Sequence, residues 1–165
     1  MIQNNCPICG NVLLEPYGRV ESDILLVGEY PREDDMKAGV PFVDEAGKVL
    51  EYEIMRAGQD MWSCRLANLW QHPINKNPDC FEYCVRALTL EMAGRKVLFM
   101  GSELTTFFLD AKVTDLAGLV VTSPLFPRST KFVMCAPAPA YVLHSTVGEF
   151  RLALEKFITK CKEIQ

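Results

Sequence analysis

At 165 residues, 49% of them apolar and 23% charged, the chain has the length and composition of one ordinary folded domain rather than a disordered segment. A formal net charge of −4 argues against tight nucleic-acid binding by charge alone, because that affinity rests on neutralised phosphates, but it leaves room for a local basic patch. No apolar run reaches bilayer length, and the opening Met1-Ile-Gln-Asn-Asn5 lacks the charged and apolar regions of a secretory leader. The expected compartment is therefore the cytoplasm. There, seven cysteines read as metal ligands and buried free thiols rather than as disulfides.

Residues 1–22 read as a small ligand-bearing arm around Cys6-Pro-Ile-Cys9-Gly10, a knuckle whose two thiolates can point at one zinc or iron ion. A redox pair and a chance pair are the competing readings of such a CxxC. Ile24-Leu-Leu-Val27 is an unbroken apolar run, the mark of a strand buried on both faces in a mainly parallel sheet. The run breaks at Gly28 and Pro31, which places Glu29 at the carboxyl end of an inner strand, where open α/β sheets hold ligands. The bland alternative for Glu29 is a helix cap or a solvated loop acid. Phe42 lies between Pro41 and Val43, just before a helix. A carboxylate and an aromatic plane on one loop suit a flat, polar-edged ligand such as a nucleobase.

The periodicity then predicts a helix over 46–57, with Val49, Leu50, Ile54 and Met55 on one side and Gly58 ending it. A second strand is expected near Arg65–Trp70, followed by a loop over 71–78. Asp79 is expected to open a helix reaching Met92, which Gly94 closes. Lys96–Met100 reads as the third strand, ending at Gly101-Ser102, with a short helix over Glu103–Leu109. A weaker strand over Leu119–Thr122 and a loop over Ser123–Thr130 come next. Phe132–Cys135 is the last strand and Ala136–Tyr141 a rigid turn. The final helix, Val147–Cys161, sets Phe150, Leu154, Phe157, Ile158 and Cys161 on one face. This alternation predicts a three-layer α/β/α sandwich around a mostly parallel four-stranded sheet, in one domain over 1–165.

The order of these pieces resembles the uracil-DNA glycosylase superfamily, and most closely its iron–sulfur branch, family four. That family carries CxxC, then Gly-Glu-Ala-Pro-Gly after an apolar strand, Gly-x-Pro-Phe-Val-Gly, a strand ending in Thr-Asn, two further cysteines, and a His-Pro-x-Tyr turn before the last helix. The matching stretches here are Cys6–Cys9, Gly28-Glu-Tyr-Pro-Arg32, Gly39-Val-Pro-Phe-Val43, Ala67-Asn68, His72–Pro78, Cys84–Leu88, Met100-Gly101 and Ala138-Pro-Ala-Tyr141. They are collinear and span nearly the whole chain.

The resemblance implies that DNA, single- or double-stranded, is bound with one nucleotide flipped out of the stack. It implies that Phe42 stacks on that base, Asn68 hydrogen-bonds its edge, and Glu29 orients the attacking water or stabilises the cationic sugar. Read from the residue alone, Asn68 is equally a turn-capping amide. Ser102, Pro139, Tyr141 and His144 are expected to touch DNA.

Two departures bear on activity. The family's histidine, a donor to the departing base, is Ala138 here. Arg32 and Tyr30 stand in the base-binding loop where the family has a glycine and a small residue, crowding the pocket. The same alignment implies Cys6, Cys9, His72 and Cys84 as ligands of a 4Fe–4S cluster, with zinc as the alternative and Cys80 as the reserve ligand. Cys64, Cys135 and Cys161 read as buried thiols. The functional expectation is a DNA-recognising protein of this superfamily, whose reaction, if it is active, is hydrolysis of the N-glycosidic bond of uracil or a modified base in DNA. The alternative is a catalytically impaired accessory subunit that binds DNA or a replicative polymerase.

Overall fold

The computed structural model describes residues 4–144 and 147–164; the first three residues of the opening stretch lie outside them. Three of the inner strands contain unbroken apolar runs (Ile24–Val27, Val97–Met100 and Phe132–Ala136), the fourth contributes Leu66 and Ala67, and their side chains alternate between two cores. The strands are β1 (Tyr17–Gly18), β2 (Ile24–Gly28), β3 (Arg65–Asn68), β4 (Lys96–Met100), β5 (Val120–Val121) and β6 (Phe132–Ala136). Ile24, Leu26, Leu66, Leu98, Met100 and Met134 face one cluster. Leu25, Val27, Ala67, Val97, Phe99, Val133 and Cys135 face the other. A strand apolar on both faces has to be covered on both, which produces three layers.

The expected parallel core is present, in the order β3-β2-β4-β6. The expectation of four strands needs correction to six, because β1 and β5 pair antiparallel at the two edges. The edge strand β5 lies within the weaker strand expected over Leu119–Thr122, whereas β1, of two residues, is too short to leave a period in the sequence.

The helices are α1 (Glu33–Ala38), α2 (Glu45–Arg56), α3 (Pro78–Met92), α4 (Ser102–Leu109), α5 (Val113–Leu116), α6 (Pro139–Val142) and α7 (Gly148–Glu163). Helix α7 buries Phe150, Leu154, Phe157, Ile158 and Cys161, as its spacing predicts. Helix α2 buries Leu50 and Ile54, but Met55 is exposed; the fourth member of that face is Glu53, neutralised by Arg151 and Arg56. Helix α3 starts one residue before the predicted Asp79, at Pro78. Asn77 caps it by accepting from the backbone N–H groups of Asp79 and Cys80. The rigid turn after β6 contains the short helix α6. Among the described residues no helix is long and apolar enough to cross a membrane.

Candidate base-binding site and metal centre

At the carboxyl ends of β2 and β3, Gly28 and Asn68 are register partners. A Cβ at Gly28 would lie 2.6 Å from Asn68 Oδ1 and 2.7 Å from the Phe42 ring, so glycine there lets the ring and the amide close on the strand end. Phe42 has φ +61°, a left-handed conformation unfavourable for a bulky residue, and the structure around it holds it there. One support is Gly47, where any Cβ would overlap the Phe42 backbone. The other is Asp35, buried at 3% exposure. Its carboxylate accepts from Arg32 N (2.9 Å), Val43 N (2.9 Å) and Asp44 N (3.2 Å), tying the start of the loop to its end. Sequence reasoning passed over Asp35 as one acid in a run; only its burial distinguishes it.

Glu29 follows Gly28 and lies against Gly101, where a side chain would collide with the carboxylate. Its Oε2 accepts from Glu103 N at 3.0 Å, so the carboxylate also caps the first turn of α4. The helix-cap reading of this acid therefore holds, and the same residue also lines the cavity at the strand ends. Burial raises its carboxyl above the ordinary glutamate value, with the Glu103 charge adding to the rise; the Glu103 N–H and the Arg32 guanidinium act against it.

These side chains line one cavity of about 100 Å³, room for a single heterocyclic ring. All six residues expected at the base, Glu29, Phe42, Asn68, Tyr30, Arg32 and Ala138, line it, and so does Pro139. Among the described residues the Asn68 amide makes no hydrogen bond, although the residue is only 5% exposed. The slot is narrowed but open: the Arg32 guanidinium lies over the Tyr30 ring, 4.6 Å from its centre, instead of filling the space. His144 lies on a shallower outer hollow that also contains Arg32, while Ser102 and Tyr141 are exposed and line neither space.

The second constellation gathers Cys6, Cys9, His72 and Cys80, whose ligand atoms all lie within 4.8 Å of one another. Cys80, the reserve candidate, takes the place assigned to Cys84. Both sit on the same face of α3, one turn apart. Cys84 turns into the core, where its Sγ accepts from Gln71 N at 3.4 Å. His72 is fully buried, and its Nδ1–H donates to Pro73 O at 2.8 Å, leaving the Nε2 lone pair toward Cys9 Sγ at 3.7 Å.

Burial would raise the Cys6 thiol, but the backbone N–H groups of Cys9 and Ile8 outweigh it and bring it down to about 7. Asn75 favours the Cys80 thiolate, yet burial and the neighbouring Cys6 and Cys9 push that thiol up to about 11. Three crowded thiolates repel one another, and a metal cation at their centre removes that repulsion, so the donor set fits a metal. Cys64, Cys135 and Cys161 are buried thiols raised by burial to about 12, 11 and 12, as expected of structural cysteines.

The three-layer α/β/α fold is that of the uracil-DNA glycosylase class, and the family comparison shows the membership. The model of the uracil DNA glycosylase superfamily matches residues 15–161, so the chain belongs to that superfamily. It is 28% identical over 153 residues to the type-4 uracil-DNA glycosylase of Thermotoga maritima, covering 88% of this chain and 79% of that protein.

Proposed function

We propose that this chain binds DNA by receiving one everted pyrimidine, uracil or a modified relative, in the slot beneath β2 and β3, and that it hydrolyses the N-glycosidic bond there slowly. The observation that carries this reading is the convergence of Glu29, Phe42 and Asn68 on one ring-sized cavity. Phe42 supplies a plane for stacking, and the Asn68 amide offers a donor and an acceptor to the base edge. Glu29 faces the sugar side as a carboxylate. It orients water toward the anomeric carbon and offsets the positive charge that grows there as the base leaves with the bonding electrons. The departing base then needs a donor for its negative charge. Ala138 offers none, and loss of one such donor typically costs about a hundred- to a thousandfold in rate.

That same alanine favours a second reading, in which the fold binds DNA or a polymerase as an accessory subunit without cutting. The two separate in one experiment: incubate the protein with single- and double-stranded uracil-containing oligonucleotides and look for alkali-labile sites. Product that disappears in Glu29→Ala supports the hydrolase. No product, together with tight association with a replicative polymerase, supports the accessory subunit.

A further inference from the structure

The spacing of the Cys6, Cys9, His72 and Cys80 donors carries information about what they hold. Cys6 Sγ and Cys80 Sγ are 3.9 Å apart, Cys9 Sγ and His72 Nε2 are 3.7 Å apart, and no pair in the group exceeds 4.8 Å. Around a single tetrahedral zinc ion, bonds of about 2.3 Å to sulfur and about 2.0 Å to nitrogen leave sulfurs about 3.8 Å from one another and about 3.6 Å from the nitrogen. A four-iron cluster is larger. Its thiolates sit outside a tetrahedron of irons with edges of about 2.7 Å, which sets the sulfurs roughly 6.5 Å apart. The observed separations match the single ion.

The surroundings resist widening to the larger size. Cys6, His72 and Cys80 are all at most 2% exposed. Cys80 belongs to the first turn of α3, fixed by the Asn77 cap. The His72 ring is held by Pro73 O on one side and packs against Trp70 on another. On the arm, Gly10 N donates to Cys6 O and Cys6 N to Asn11 O, which closes the knuckle tightly around its two sulfurs. Moving these donors apart by roughly 2 Å would shift buried backbone on three segments at once, in a close-packed interior.

We propose that this chain holds one tetrahedral zinc ion on Cys6, Cys9, Cys80 and His72, in place of a multi-iron cluster. The ion is structural: four protein donors close its coordination sphere and leave no position for substrate. It ties the amino-terminal arm to the segment that runs from Asn68 into α3, and so stiffens the strand end that carries the base-reading amide. This inference is independent of whether the slot cuts DNA.

The test is metal and sulfide analysis of the full chain, purified without air after growth with both iron and zinc. One zinc per chain, no acid-labile sulfide and no visible colour are expected. Replacement by cobalt(II) should give the intense red-region bands of a tetrahedral ion together with sulfur-to-metal charge transfer. Cys80→Ser should lower that charge-transfer intensity by about a third, while Cys84→Ser leaves it unchanged. A brown protein with iron and labile sulfide in equal amounts would overturn the proposal. So would a single iron without sulfide, a chain that takes up neither zinc nor cobalt, or a cobalt spectrum that depends on Cys84 instead of Cys80.

Discussion

The two walls of the ring-sized cavity differ in chemistry. The wall built by β2, β3 and the loop leading into α2 carries a carboxylate, an aromatic ring and an amide; the wall built at α6 carries Ala138, Pro139 and Ala140. The first wall is over-determined: glycines at 28 and 47 admit Phe42, and Asp35 fixes the loop from both ends. The second is held by packing of the buried Pro139 and by backbone hydrogen bonds from Tyr141 N to Ala138 O and Leu143 N to Ala140 O, and 138–140 carry no polar side chain. On the proposed reading, binding and leaving-group chemistry would be served by separate walls, of which the first carries functional side chains and the second carries none.

Restoring the bare wall should have the largest effect. Ala138→His is expected to raise single-turnover release of uracil by about a hundred- to a thousandfold, the usual worth of one donor to a developing anion. An unchanged rate would mean that the two walls do not face the same base. Damage to the built wall comes next. Gly28→Ala puts a methyl group against the Asn68 amide and the Phe42 ring. It should cost about 1–3 kcal/mol of stability in denaturant unfolding, as overpacking does, and it should remove oligonucleotide binding along with it.

Asp35→Ala removes the buried carboxylate and leaves the backbone N–H groups of Arg32, Val43 and Asp44 without their acceptor, and about 1–3 kcal/mol should be lost in the same assay. Gly39→Ala, at a position with open space around it, is the milder control; its positive φ of 69° makes some strain unavoidable, so a smaller loss is expected.

The smallest effect is a pH shift. Burial raises the Glu29 carboxyl, so excision that needs the carboxylate should rise with pH through a midpoint above that of an ordinary glutamate. For stability the sign reverses. The folded chain holds this proton more tightly than the unfolded one, so the contribution is full below the ordinary value and is lost as pH rises through the raised one. A pH–rate profile that flattens in Glu29→Gln would confirm the assignment.

The parallel core was legible because three unbroken apolar runs, Ile24–Val27, Val97–Met100 and Phe132–Ala136, can be buried only between two helix layers. The built wall was legible too: Glu29 stands at the break after the Ile24–Val27 run, Phe42 just before a helix, and Asn68 where the family resemblance puts its asparagine. What the sequence hid was decided at long range. Asp35 is one acid among three until its carboxylate meets backbone groups eight and nine residues on. Cys80 and Cys84 are one turn apart, and the choice between them depends on which turn of α3 meets the knuckle. Met55 reads as a core residue by spacing, but Glu53 occupies that face because two arginines neutralise it. The edge strand β1, two residues long, leaves no period at all.

The central claim is that Phe42 and Asn68 receive an everted pyrimidine, and the measurement that reaches it most directly does not depend on catalysis. A single-stranded oligonucleotide carrying one 4-thiouracil would be bound to the protein, irradiated, and the adduct mapped by mass spectrometry. Crosslinks on the peptides containing Phe42 or Asn68, lost in Gly28→Ala, are the predicted result. Crosslinks confined to another face, such as the exposed Tyr17–Trp62 pair, would contradict it.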